Sequence, residues 1–189
     1  MVENVSKIIE CSNNIFNKGL VSGKAGNVSA KVDENIIAIT PTLKSLNNLK
    51  EDDIVLVDLN GNCLTKGKPS SEVKMHLEIY KKRKDINAIV HTHSPYATGF
   101  SFSNKKIKRL EGFGQINNEY LSSIEYEKPG SGELAIKAAE GLGSEDVLIL
   151  KNHGVICIGD TLKEAESLAI FIEESSKTQF IALTLNSIK

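Results

Sequence analysis

The 189 residues carry 23 basic and 24 acidic side chains, a net charge of −1, with 40% hydrophobic and 25% charged residues. That balance fits one ordinary globular domain spanning 1–189 and leaves no basic stripe for nucleic acid or an anionic membrane. No apolar run approaches the roughly 18 residues of a membrane span, and the polar start Met1-Val2-Glu3-Asn4 does not resemble a signal peptide. Cys11, Cys63 and Cys157 are odd in number and far apart, so they read as reduced thiols of a cytoplasmic protein.

In chain order, Val5, Ile8, Ile9, Ile15 and Phe16 have helical spacing up to Gly19. A small-residue loop, Ser22-Gly23-Lys24-Ala25-Gly26-Asn27, follows. Val28, Ala30 and Val32 then alternate with polar residues and pair with Ile36 to Ile39 across Asp33-Glu34-Asn35. Ile54 to Leu59, the turn signal Asn60-Gly61 and Cys63-Leu64 predict a second hairpin. Pro69-Ser70-Ser71-Glu72 predicts the serine-capped start of a helix carrying Val73, Leu77 and Tyr80. Lys81-Lys82-Arg83-Lys84 reads as its solvated, cation-rich end. A strand runs through Ala88-Ile89-Val90 to His91. Pro129-Gly130-Ser131-Gly132 precedes a helix from Glu133 to Glu140, and Val147–Leu150 and Val155–Ile158 are strands on either side of His153-Gly154. Thr161-x-x-Glu164 is a capping box opening a last helix through Leu183. Hairpins interleaved with amphipathic helices predict a mainly antiparallel or mixed sheet with helices on its faces.

Three of the four histidines fall in two short segments, His91-Thr92-His93 and Asn152-His153-Gly154. On an extended strand residues i and i+2 share a face, so His91 and His93 project together. With His153 and Glu72 they form a plausible divalent-metal site of imidazole and carboxylate type. His76, inside the helix after Glu72, reads as structural. Pro69-Ser70-Ser71, Gly26-Asn27 and Thr40-Pro41-Thr42 each offer exposed amides and small polar side chains. Together they can cradle a phosphate without a Walker-type lysine. Glu72 beside a metal can be a ligand and, once substrate displaces it, a general base.

Gly26-Asn27-Val28-Ser29, Thr40-Pro41-Thr42, Pro69-Ser70-Ser71-Glu72, His91-Thr92-His93 and Asn152-His153-Gly154 stand in the order and at the spacings of the class II aldolase family, which the chain resembles over nearly its whole length. The resemblance implies an α/β fold, a three-layer helix–sheet–helix sandwich. It implies one zinc ion per chain on His91, His93 and His153, with Glu72 a ligand at rest and the acid/base in turnover. Gly26, Asn27, Thr42, Ser70 and Ser71 would hold the substrate phosphate. Leu43 stands where the family usually has glycine, so its backbone N–H would make that contact. A homotetramer with sites between subunits is also implied.

Glutamate after the two serines resembles the aldolases of the family, whereas its epimerases carry aspartate. The implied reaction is reversible cleavage of a ketose 1-phosphate, such as L-fuculose 1-phosphate, to dihydroxyacetone phosphate and an aldehyde such as L-lactaldehyde. Epimerisation of L-ribulose 5-phosphate and dehydration of methylthioribulose 1-phosphate are the enzymic alternatives, and an adducin-like interaction module the non-enzymic one. The stretch Lys108-Arg109-Leu110-Glu111-Gly112-Phe113 lacks the tyrosine that the family's aldolases use as second proton donor. Tyr120 and Tyr126 are the nearby substitutes.

Overall fold

A computed structural model describes residues 2–110 and 118–188. Glu111, Gly112 and Phe113 of the tyrosine-lacking stretch lie outside the described residues. Helix α1 (Val2–Asn17) is followed by strands β1 (Asn27–Lys31), β2 (Ile36–Ile39) and β3 (Val55–Asp58). Then come helix α2 (Val73–Lys82), β4 (Ala88–Thr92), α3 (Pro95–Ser101), β5 (Ser122–Ile124), α4 (Gly132–Leu142), β6 (Val147–Leu150), β7 (Gly154–Gly159) and α5 (Leu162–Ser187). The strands form one sheet in the order β3-β2-β1-β4-β7-β6-β5. Every pairing is antiparallel except β5 with β6.

The period of two along each strand divides the interior into two cores. Val28, Ala30, Ala38, Val90, Ile149 and Cys157 face α1, α3 and α5, meeting Ile8, Ile15, Phe100, Ala169 and Ile172. Ile37, Ile39, Val57, Ile89, Leu148 and Ile156 face α2 and α4, meeting Met75, Ile79, Leu134, Ala138 and Leu142. Helices on both faces of a mixed, mainly antiparallel sheet make the three-layer sandwich that the motifs imply.

Four local expectations change. Cys63-Leu64 is no strand: it touches β3 through a single bridge, Val57 to Cys63. The Asp58 carboxylate accepts from Asn60 N, Asn62 N and Asn62 Nδ2 and pins the Asn60-Gly61 turn, across which Asp58 N donates to Asn62 O and Leu64 N to Leu56 O. Ser70 and Ser71 precede α2, and Glu72 is its N-cap residue; Ser70 Oγ instead accepts from Glu72 N at 3.2 Å. Arg83 is not a solvated helix end, because its guanidinium donates to Gly143 O and Glu145 O beyond the end of α4 and pairs with Asp85. Strand β5 and helix α3 were not expected at all. No helix among the described residues is long and apolar enough to cross a membrane.

Candidate metal centre and active site

Strand β4 sets the first two imidazoles. Ile89 faces the α2/α4 layer, so His91, two residues on, faces it as well, and His93 follows in the same phase just past the strand. His153 arrives from the β6–β7 connection, where Leu150 O accepts from His153 N at 3.1 Å. Asn152 takes the third position of that tight turn with φ 54°, a left-handed conformation that asparagine tolerates better than most residues. Glu72 enters from the start of α2.

Two glycines let these segments close. A Cβ on Gly154 would stand 2.4 Å from Thr92 O and 3.2 Å from carbons of both His91 and His93. One on Gly26, at φ +79°, would stand 2.4 Å from Val21 Cγ1 and 3.0 Å from His91 O.

The ligand atoms of Glu72, His91, His93 and His153 all lie within 4.8 Å of one another. The three rings sit 4.9 to 5.0 Å apart, edge to face. His93 Nε2 is 3.0 Å from His91 Nε2, His91 Nε2 is 3.1 Å from Glu72 Oε2, and His153 Nε2 is 3.3 Å from Glu72 Oε1. Bonds of about 2.0–2.2 Å to one tetrahedral ion put neighbouring ligand atoms roughly 3.3 Å apart. The observed spacings fit such an ion.

Tautomer and charge fit as well. His91 Nδ1 lies 2.9 Å from Val155 O, which can only accept, so Nδ1 carries the proton and the Nε2 lone pair points inward. Burial, then the neighbouring His91, pushes His153 down to about 4; burial, His91 and His153 push His93 down to about 3. Both are therefore neutral at pH 7, the form a metal takes. Burial opposes ionisation of Glu72, but His91, His153 and the Asn27 amide outweigh it and hold the carboxyl well below its ordinary range. Burial likewise favours neutral His91, yet the Glu72 carboxylate reverses this and raises it. Glu72 Oε1 is buried and makes no hydrogen bond among the described residues.

The remaining expected site residues divide. Ser70 is buried, Ser71 exposed, Thr42 half-buried and Leu43 exposed. Thr42 N donates to Lys68 O and Ser70 N to Thr40 O, which joins the 40–43 and 68–71 segments side by side. Leu43 has φ 61°, the left-handed conformation that a glycine would take without strain. Asn27 is committed elsewhere: its Nδ2 donates to Glu72 Oε2 at 3.0 Å and its Oδ1 meets His76 Nε2 at 2.5 Å.

Of the two substitute tyrosines, Tyr120 bridges Lys108 ahead of β5. Tyr126 is exposed just past β5, beside Glu125, which pairs with Lys151 two residues before His153. Sequence reasoning missed the part His76 plays near the site. Its spacing of four from Glu72 on one helix face was the available signal.

A largely buried cluster of three imidazoles and a carboxylate at the strand ends of a helix-covered mixed sheet defines a class II aldolase-type domain. The chain belongs to the class II aldolase and adducin N-terminal domain family, whose model matches residues 6–180. It is 43% identical over 177 residues to an L-fuculose phosphate aldolase of Methanocaldococcus jannaschii, covering 94% of this chain and 96% of that one. It is 32% identical over 178 residues to a 3-oxo-tetronate 4-phosphate decarboxylase of Haemophilus influenzae, covering 92% and 85%. Among solved structures, an L-fuculose 1-phosphate aldolase matches with a TM-score of 0.91 at 29% identity, over 98% of this chain and 88% of that one. The family membership read from the five ordered motifs is thereby borne out.

Proposed function

We propose that this chain catalyses reversible aldol cleavage of a ketose 1-phosphate of the L-fuculose 1-phosphate type, giving dihydroxyacetone phosphate and an aldehyde such as L-lactaldehyde. The observation that carries the reading is the convergence of three imidazole Nε2 atoms on one glutamate whose Oε1 is buried and makes no hydrogen bond among the described residues. The 43% identity to a relative named for this activity supports the substrate class. An adducin-like module has no need of the four clustered ligand residues.

His91, His93 and His153 would hold one zinc ion, with Glu72 completing the set at rest. A divalent ion there supplies Lewis acidity toward the substrate carbonyl as negative charge develops on it. In the addition direction, Glu72 Oε1 removes a proton from the hydroxymethyl carbon of dihydroxyacetone phosphate. The enediolate left behind attacks the aldehyde carbon, and the alkoxide oxygen so formed takes a proton from solvent water. In cleavage, the hydroxyl beside the breaking carbon–carbon bond gives its proton to solvent water, the aldehyde departs, and protonated Glu72 Oε1 returns its proton to the enediolate carbon. Gly26, Asn27, Thr42, Leu43, Ser70 and Ser71 would bind the phosphate through backbone N–H groups and hydroxyls, with Asn27 limited to its backbone and its second amide hydrogen.

Residues 1–189 would act as one cytoplasmic domain, in keeping with the free cysteines. A homotetramer is supported by the apolar Phe180, Ile181, Leu183 and Leu185 left exposed on the second half of α5. An active monomer in sedimentation would remove that part.

The test of the reaction is Glu72→Gln, which keeps the shape but cannot take a proton. Solvent deuterium exchange into dihydroxyacetone phosphate should slow by about 10²- to 10⁴-fold. Exchange at the wild-type rate in the variant refutes the role of Glu72.

A further inference from the structure

Behind Glu72, between β1 and α2, lies a buried line of polar side chains that touches the metal cluster only where Asn27 meets Glu72. Ser29, His76 and Tyr80 are fully buried, and Asn27 is nearly so. Ser29 Oγ is 2.6 Å from His76 Nδ1 and 2.9 Å from Tyr80 Oη, and His76 Nε2 is 2.5 Å from Asn27 Oδ1. Asn27 and Ser29 are alternate residues of β1, so both face α2; His76 and Tyr80, four apart on α2, face back.

We infer that Tyr80, Ser29 and His76 are positioning residues that lock the Asn27 amide onto Glu72 Oε2 and so leave Oε1 as the oxygen that handles the substrate proton. The inference rests on reading Glu72 as the base.

Donor counting gives the chain one direction. An ionised carboxylate only accepts, so Asn27 must present its NH2 to Glu72, which turns Oδ1 toward His76. Oδ1 also only accepts, so His76 Nε2 carries the ring proton. A neutral ring then has a bare Nδ1, which the Ser29 hydroxyl must fill by donating. The second Ser29 contact is thereby an acceptance from the Tyr80 O–H. Burial pushes His76 down to about 3, in keeping with a neutral ring.

Every group in the line has a partner, and reversing any bond would leave two donors or two acceptors facing each other. Without His76, Asn27 Oδ1 would be a buried acceptor with nothing to hold it. The amide could then turn, and the Glu72 carboxylate would lose the contact that fixes its rotamer.

Two measurements test this. In 15N–1H spectra of histidine-labelled protein, where only four histidines contribute, His76 should show a protonated Nε2 and a bare Nδ1 at neutral pH. A protonated Nδ1 overturns the inference, and this readout needs no variant to fold. Kinetically, at saturating zinc and full metal content, His76→Leu should lower kcat for deuterium exchange into dihydroxyacetone phosphate by about 10- to 100-fold, a larger change than in KM. His76→Gln, which keeps an N–H near the Nε2 position, should recover most of that loss. Wild-type kcat in metal-loaded His76→Leu, or Gln no better than Leu, overturns it. If Glu72→Gln itself exchanges normally, the reading of Glu72 fails; if Glu72→Gln is dead and His76→Leu is normal, only the positioning inference fails.

Discussion

Replacing Gly154 with alanine tests whether the close approach of β7 to β4 builds the cluster. The added methyl would stand 2.4 Å from Thr92 O. Ordinary carbon–oxygen contacts fall at about 3.3–3.6 Å, so the strands must part by about 1 Å. The neighbour is backbone, paired through Thr92 and Val155 in the β4–β7 ladder, and cannot rotate away. The methyl would also press on His91 Cε1 and His93 Cδ2, each 3.2 Å away. Overpacking of this kind costs about 1–3 kcal/mol of stability. Displacing two of three imidazoles by a similar distance should weaken metal binding by more than the about 10-fold seen for lesser ligand disturbances. Urea unfolding of metal-free protein reads the first effect, and competition with a chromogenic chelator reads the second. Gly154→Ala with wild-type stability and metal affinity would refute the claim that this glycine is required by close approach.

Other expectations follow from the same geometry. Ser71→Asp sets a negative charge at the proposed phosphate cradle and should raise KM for phosphorylated substrate at least about tenfold, with metal content unchanged; a normal KM counts against a cradle there. Leu43→Gly should stabilise by up to about 1.5 kcal/mol, because relief of left-handed strain, roughly 1–2 kcal/mol, outweighs the added chain entropy, about 0.5–1 kcal/mol. A destabilised Leu43→Gly in urea unfolding would show that its exposed side chain makes contacts worth more than the strain. Burial pushes His76 down to about 3 in the folded chain against about 6.5 when unfolded, so between those values the unfolded chain holds the extra proton. Its contribution is complete above pH 6.5 and is lost as pH falls toward 3, by up to about 1.4 kcal/mol per pH unit. Stability of His76→Gln measured from pH 7 to pH 4 should therefore fall less steeply than wild type.

What the sequence made legible was written in short-range chemistry. The Thr161–Glu164 box forms as expected, with Thr161 Oγ1 accepting from Glu164 N and Glu164 accepting from Thr161 N. The β1–β2 hairpin and the His91/His93 phase need only strand periodicity. Strand β5, Ser-Ser-Ile, has no such signature and exists because β6 pairs with it in parallel. Helix α3 contains Thr98 and Gly99, and its first amides, Tyr96 N and Ala97 N, are satisfied by the carboxylate of Glu173, 77 and 76 residues away. No local pattern announces a partner that distant. At the site, the cluster residues were identifiable because their chemistry is unusual. The use of Asn27 was not, because asparagine beside glycine reads equally well as an anion donor, and only the packing of α2 on β1 turns its amide toward Glu72.

That packing raises the question of why five polar side chains occupy a layer where leucine and isoleucine would serve. A hydroxyl or amide buried without a partner costs about 1–3 kcal/mol, and the line from Tyr80 to Glu72 avoids this by satisfying each group in turn. Satisfied hydrogen bonds inside a protein return little net stability, and apolar replacements of similar shape are often neutral or better. Stability alone therefore gives no reason for Ser29 to face His76 where Ile37 and Ile89, on neighbouring strands, face apolar residues of the same layer. The line does gain direction. An apolar contact leaves a carboxylate free to rotate, whereas a donor held at 3.0 Å from one oxygen distinguishes Oε2 from Oε1. A glutamate that alternates between ligand and base, as proposed for Glu72, has use for that distinction, since its two oxygens then never compete for the same role.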